Sequence, residues 1–165
     1  PPDSALAEAW TARLATYAQK LEGCLLHEAL AELWEFVGGA NKVVDAEQPW
    51  VLAKAAKAGD EAAAARLRDV LGDLIEACRL LGLAAAPFIP NTAPRVLKQL
   101  GYDFPYAADG NGGPLLQDEL RWGAHYPEAG QVTAPEPLFP RLDVDPVGDA
   151  SAPAGPRLAG QEDTF

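Results

Sequence analysis

Three shortages narrow the field before any motif is considered. Cysteine is scarce, with two in 165 residues, Cys24 and Cys78. Both fall on expected helices and read as reduced, small core residues rather than a disulfide framework. Long apolar runs are missing: no 18 consecutive uncharged apolar residues occur, which argues against a membrane-spanning helix. Basic residues are outnumbered, 13 Lys and Arg against 24 Asp and Glu, for a net charge of −11. A general nucleic-acid binder needs cations to replace counterions, so that class is disfavoured. The opening stretch PPDSALAEAW lacks a basic region followed by an apolar core, so no signal peptide is expected. Together these features point to a cytosolic protein.

The acidic excess is uneven. Residues 1–105 hold 10 basic and 14 acidic side chains, whereas residues 106–165 hold 3 and 10. A local basic site in the first part therefore survives the overall balance. Catalytic signatures are missing as well: no Gly-rich phosphate loop, no Gly-x-Ser-x-Gly and no His-Glu-x-x-His occurs. His27 and His125 lie far apart without the Cys/His company of a zinc site, so no metal is expected. The Asp/Glu pairs fall on outward helical faces, where solvated charge is the ordinary state.

What is present is alanine, leucine and helical periodicity, with 48% apolar residues, enough for a core. Residues 3–22 predict a first helix, with Leu6, Trp10, Leu14, Tyr17 and Leu21 spaced by three and four, ended by Gly23. A second helix over 25–45 places Leu26, Leu30, Leu33, Val37, Ala40 and Val44 on one arc, with Trp34 at its edge. Gly38 and Gly39 within it suggest a kink or the close approach of a neighbouring backbone. Pro49 then interrupts, since its ring disfavours helical geometry at Gln48 and suits the first position of a new helix. The short segment PWVLAKAAKAG follows, and Asp60 is placed to cap a helix running to about Ala86. There Leu67, Val70, Leu71, Leu74, Ile75, Cys78, Leu81 and Ala85 form the expected core face, with Arg68, Asp69, Asp73, Glu76 and Arg79 opposite. PFIP ends that helix, Asn91 is placed to cap a last one, and Gly101 closes it. The expected fold is all-α, an antiparallel helical bundle over 1–105.

Beyond residue 105 the texture changes. Eight of the 15 prolines fall there, and DGNGGP at 109–114 marks a turn cluster. LRWGAHYP and EPLFPRLD are apolar islands that suit an irregular segment, 106–145, packing back on the bundle. Residues 146–165 read as a disordered tail.

The stretch ANKVVDAEQPWVLAK, residues 40–54, is the most informative. Trp50, Lys54 and Lys57 stand at i, i+4 and i+7 on the short helix and share a face, while Val51, Leu52 and Ala55 turn towards the bundle. An exposed indole flanked by two cations suits a splayed single-stranded base, through stacking and phosphate contacts. The alternative is a Trp packed into the elbow as a brace, with both lysines merely solvated. Asn41 lies inside the apolar stripe and reads as a buried amide bonding the elbow backbone rather than a ligand contact.

The same stretch resembles the anticodon-binding helical domain of methionyl-tRNA synthetase, a class I aminoacyl-tRNA synthetase. It is similar to the family's Ala-Asn-Arg/Lys-Tyr-Val-Asp, spacer, Pro-Trp-x-x-Ala-Lys. LLGLAAAPFIPNTA (80–93), RVLKQLG (95–101), LRWGAHYPEAGQV (120–132) and EPLFPRLD (136–143) extend the likeness over roughly residues 1–143. The resemblance implies that Trp50, with Pro49 beside it, stacks on and recognises a base of the CAU anticodon in the tRNA(Met) anticodon loop. It implies a shaping role at the elbow for Asn41 and a backbone contact for Lys54. Val43 stands where the family often has Tyr. The chain is expected to begin after a helix that carries further Asn and Arg anticodon contacts, and to lack the Rossmann catalytic domain with its ATP motifs. It thus resembles a carboxy-terminal fragment, inactive alone and without a cofactor of its own, whose parent joins methionine to tRNA using ATP. Isoleucyl, valyl, leucyl or cysteinyl relatives, or a helical interaction module without RNA binding, are the alternatives.

Overall fold

A computed structural model describes residues 4–103, 105, 116–124, 132 and 137–139. Its elements are helical: α1 (Ala5–Glu22), α2 (Leu26–Glu47), α3 (Pro49–Lys57), α4 (Glu61–Ala84), α5 (Ala93–Gln99) and the single turn α6 (Leu116–Glu119). The turn cluster at 109–114, His125 and the tail beyond 145 lie outside the described residues.

Each boundary has a local cause. Ser4 accepts a hydrogen bond from the Ala7 amide to open α1, and Asp60 accepts one from Ala63 at 2.9 Å to open α4. Three helices end in the same closing motif, in which a left-handed residue lets two late amides reach back to orphan carbonyls. At α3 the residue is Gly59 (φ +97), with Asp60 N–H donating to Ala55 and Gly59 N–H to Ala56. Gly101 does this for α5, with Tyr102 reaching Leu97. At α1 the left-handed residue is not Gly23 but Cys24, at φ +58. Cys24 therefore sits in a turn and is exposed, not on a helix in the core. Asn91 does not cap α5 either; Thr92 occupies that position without a side-chain hydrogen bond.

Three-residue links between α1 and α2, and between α3 and α4, force antiparallel neighbours. Arg13 and Lys20 of α1 both reach Glu32 of α2, at 3.0 and 2.7 Å. Those contacts hold Glu32 below the usual carboxylate range, through the Lys20 hydrogen bond first. The Tyr17 hydroxyl donates to the Ala84 carbonyl at 2.7 Å, bringing the end of α1 to the end of α4. Helix α1 is therefore parallel to α4, and α2 runs antiparallel to both. The three long helices enclose Leu6, Trp10, Tyr17, Ala29, Leu33, Phe36, Ala77, Leu80 and Leu83. Trp10 and Phe36 meet edge to face, with centroids 4.9 Å apart. Such a pair adds roughly 0.5–1.5 kcal/mol beyond its burial.

Two expected core faces are rotated. On α2 the buried line is Ala29, Leu33 and Phe36, while Leu26 is 53% exposed. On α4 the buried side includes Asp73, Glu76 and Arg79, and Leu71 and Cys78 are exposed. The reason is a strap. Arg79 donates to the Glu119 carbonyl at 3.0 Å, Glu76 accepts from the Gly123 amide at 2.9 Å, and the Trp10 indole donates to the Leu120 carbonyl at 2.7 Å. Leu120 is thereby buried against the bundle, and charged residues expected in solvent become the floor beneath it. Arg95 similarly holds the carbonyls of Pro137 and Leu138 at 3.0 and 3.1 Å. The Gly38–Gly39 pair admits no close neighbour: a Cβ at either position would meet nothing within 4 Å, and α2 continues through both as one helix.

Candidate nucleic-acid interface

The elbow between α2 and α3 turns on one residue. Gln48 adopts φ +44, ψ +63, a left-handed conformation that costs a non-glycine residue of order 1 kcal/mol. Its amide donates to Val44 at 3.0 Å and closes α2, while its carbonyl accepts from Val51 at 2.8 Å and opens α3. Pro49 follows at the first helical position, where the missing N–H leaves no hydrogen bond unmade. Two helices thus change direction without a loop, and the second begins with its aromatic in place.

Trp50 is 57% exposed. Lys54 and Lys57 are exposed on the same helix, and neither pairs with an acid among the described residues. Leu52 and Ala55 are half-buried towards α4, which carries α3 along its length. Val51, expected to face inward, is instead half-exposed, because so short a helix at the edge of the bundle buries only a narrow stripe.

Asn41 departs from expectation. It is exposed on α2, two turns before the elbow, and makes no side-chain hydrogen bond to a described residue. The α2 core line passes through Ala40 and Val43, which turns position 41 outward. The elbow is fixed by another pair, which the sequence pattern did not single out. Arg66 of α4 grips both carboxylate oxygens of Glu47 in the last turn of α2, one of them from Nε at 2.9 Å. The hydrogen bond from Arg66 holds the Glu47 carboxyl below its ordinary range. The two residues are 19 positions apart, so local spacing carries no sign of the contact.

The surface so built is one aromatic and two unpaired cations on a rigid helix, with no described cluster of three or more His, Cys, Asp or Glu residues able to hold a metal. It can stack and attract anions; it offers no nucleophile–base pair. No described helix is long and apolar enough to cross a membrane.

Comparison with known proteins gives a consistent result. The family described as the anticodon binding domain of methionyl tRNA ligase matches residues 1–150. The methionine–tRNA ligase of Caldanaerobacter subterraneus subsp. tengcongensis is 35% identical over 133 residues, covering 78% of this chain and 18% of that protein. Its counterpart in Clostridium acetobutylicum is 36% identical over 118 residues, 72% of this chain and 16% of the relative. The Streptococcus pyogenes enzyme is 30% identical over 159 residues, 91% of this chain and 22% of the relative. The chain thus spans about a fifth of the length of these relatives. All three are methionyl enzymes, not the isoleucyl, valyl, leucyl or cysteinyl types. An all-α bundle with a Pro-Trp elbow, matched along nearly its whole length, belongs to the family of methionyl-tRNA ligase anticodon-binding domains.

Proposed function

We propose that this chain reads the anticodon loop of tRNA(Met) as part of a methionine–tRNA ligase, and that Trp50 is the stacking platform. The observation that carries this is the exposure of the Trp50 ring, 57%, on a helix whose opposite face is seated on α4. An indole held at the tip of a bundle pays little ordering entropy when a base lands on it. Stacking of that kind is worth about 1–3 kcal/mol per base. Lys54 and Lys57 approach the phosphates on either side, and Pro49 fixes the start of the platform. Asn41, exposed rather than buried, offers an amide to a neighbouring nucleotide instead of shaping the elbow.

Residues 106–165, with 3 basic and 10 acidic side chains, carry most of the negative charge and discourage phosphate contacts away from the elbow. Methionine activation with ATP takes place in the catalytic part of the parent enzyme, in the cytosol where tRNA is charged. The module holds the far end of the tRNA while that part works.

The test is a titration of the synthetase that contains this domain with a methionine anticodon stem-loop, CAU against altered anticodons. Trp50→Ala is expected to weaken CAU binding about tenfold or more and to erase the preference, with unfolding unchanged. Equal affinity of wild type and Trp50→Ala for CAU would remove the platform role.

A further inference from the structure

Between the long helix α2 and the helix that carries Trp50, the chain passes through a single strained joint. Gln48 sits in the left-handed region, with φ +44 and ψ +63. An L side chain resists that region, so the joint reverts to ordinary backbone unless the elements on both sides of it are held. One side is held by burial: α3 is seated along α4, with Leu52 and Ala55 half-buried. The other side is held by charge. Glu47, the last residue of α2, directly precedes Gln48, and Arg66 of α4 closes on both of its carboxylate oxygens in a fork-to-fork geometry. Beside the pair lies a recess of about 330 Å³, lined by Ser4, Leu6, Val43, Val70 and Asp73. Packing at this level is open, and the ion pair spans the gap between the end of α2 and α4.

Both flanks of the strained joint are thereby referred to the same helix, α4. Trp50 follows Glu47 by three residues, so a shift of the last turn of α2 passes through Gln48 and Pro49 into the direction of the indole. Arg66 itself is poorly placed to attract RNA. Its guanidinium is answered first by Glu47, and Asp69 and Asp73 on the same helix stabilise its charge further. A cation so surrounded offers a phosphate little.

We propose that Glu47 and Arg66 are positioning residues for anticodon reading: by pinning the last turn of α2 to α4, they hold the elbow in the conformation that presents the Trp50 ring to a base, without touching RNA themselves. The proposal rests on Trp50 being the stacking platform. Its arithmetic is that of populations. A base captures only molecules whose ring is presented, so apparent affinity falls by the same factor as that fraction.

Stem-loop titrations of the synthetase that contains this domain test the pair, using Arg66→Met and Glu47→Gln, each alone and each combined with Trp50→Ala. Both single changes are expected to weaken CAU binding about fivefold. Glu47→Gln is the more telling. It removes a negative charge beside the RNA surface and leaves a guanidinium unpaired, so electrostatics alone would tighten binding. In the Trp50→Ala background neither change should weaken binding further, because the ring through which they act is gone. The slope of log affinity against log salt should be the same in Arg66→Met as in wild type, since no phosphate contact is lost. Should Arg66→Met fail to fold, Arg66→Lys keeps the charge, loses the fork and should still weaken binding.

Wild-type or tighter binding by Glu47→Gln would overturn the proposal. So would an undiminished fivefold loss in the Trp50→Ala background, or a salt slope shallower by about one in Arg66→Met, the mark of a direct phosphate contact. The two readings fail separately. Wild-type affinity in Trp50→Ala would remove the platform itself, whereas weak binding by Trp50→Ala with both grip variants at wild-type affinity would remove the positioning role alone.

Discussion

Arg79 folds back one turn along α4 and meets Glu76 with two hydrogen bonds, each 2.8 Å, where their side chains are 2% and 0% exposed. A charge pair this deep survives only because the remaining polar atoms are also satisfied, here by the carbonyls of Glu119 and Arg121 and the amide of Gly123. The pair therefore joins the bundle to a segment 40 or more residues further along the chain.

Removing half of that pair should be costly. Arg79→Met leaves a buried carboxylate with one amide for company, and a loss of about 3–5 kcal/mol in urea unfolding is expected. Trypsin should also cut more rapidly at Arg121, because the strap loses two of its anchors. Glu76→Leu combined with Arg79→Met should cost less than the two single changes added together. A single variant within about 0.5 kcal/mol of wild type would show the pair to be idle.

The glycine pair in α2 should reward substitution. Gly38 and Gly39 lie in the interior of a helix, and a Cβ at either would meet nothing within 4 Å. Alanine limits the unfolded chain without a clash, so Gly38→Ala and Gly39→Ala should each raise stability by about 0.5–1 kcal/mol. Gly82 supplies the contrast. A Cβ there would stand 3.1 Å from Cγ1 of Val96, so Gly82→Ala should gain nothing. Urea midpoints of the three variants measure the difference.

Tyr17 should make the fold sensitive to strong alkali. Its hydroxyl is buried against the Ala84 carbonyl, and burial pushes its pKa up to about 12 from the ordinary 10.0. The folded state therefore favours the neutral phenol, so this contribution is complete below pH 10 and is lost as the pH rises through 12. Unfolding free energies followed between those limits should fall, and Tyr17→Phe should flatten the fall. The same change should cost about 1 kcal/mol at neutral pH through the lost hydrogen bond. An equal alkaline fall in wild type and Tyr17→Phe would assign the effect elsewhere.

Much of this molecule was legible in one dimension. Spacings of three and four apolar residues announced the helices, because a 3.6-residue turn brings such positions onto one side regardless of what lies beyond. Asp60, Pro49 and Gly59 marked boundaries through chemistry confined to a few neighbouring residues, and so did the Pro-Trp elbow that presents Trp50. Which of two apolar faces is covered is a different kind of question. Leu26, Leu71 and Cys78 have core-type spacing yet remain exposed, while Glu76 and Arg79 look solvated yet are sealed under residues 119–123. Periodicity records that a face is apolar; only the arrival of a distant segment decides whether water is excluded from it. Asn41 and the Glu47–Arg66 grip follow the same logic, since a small rotation of α2 against its neighbours sets whether an amide is buried and which carboxylate finds a guanidinium. Local sterics and hydrogen bonding wrote the elements into the sequence, and desolvation between remote parts of the chain, a property of the assembled bundle alone, chose their faces.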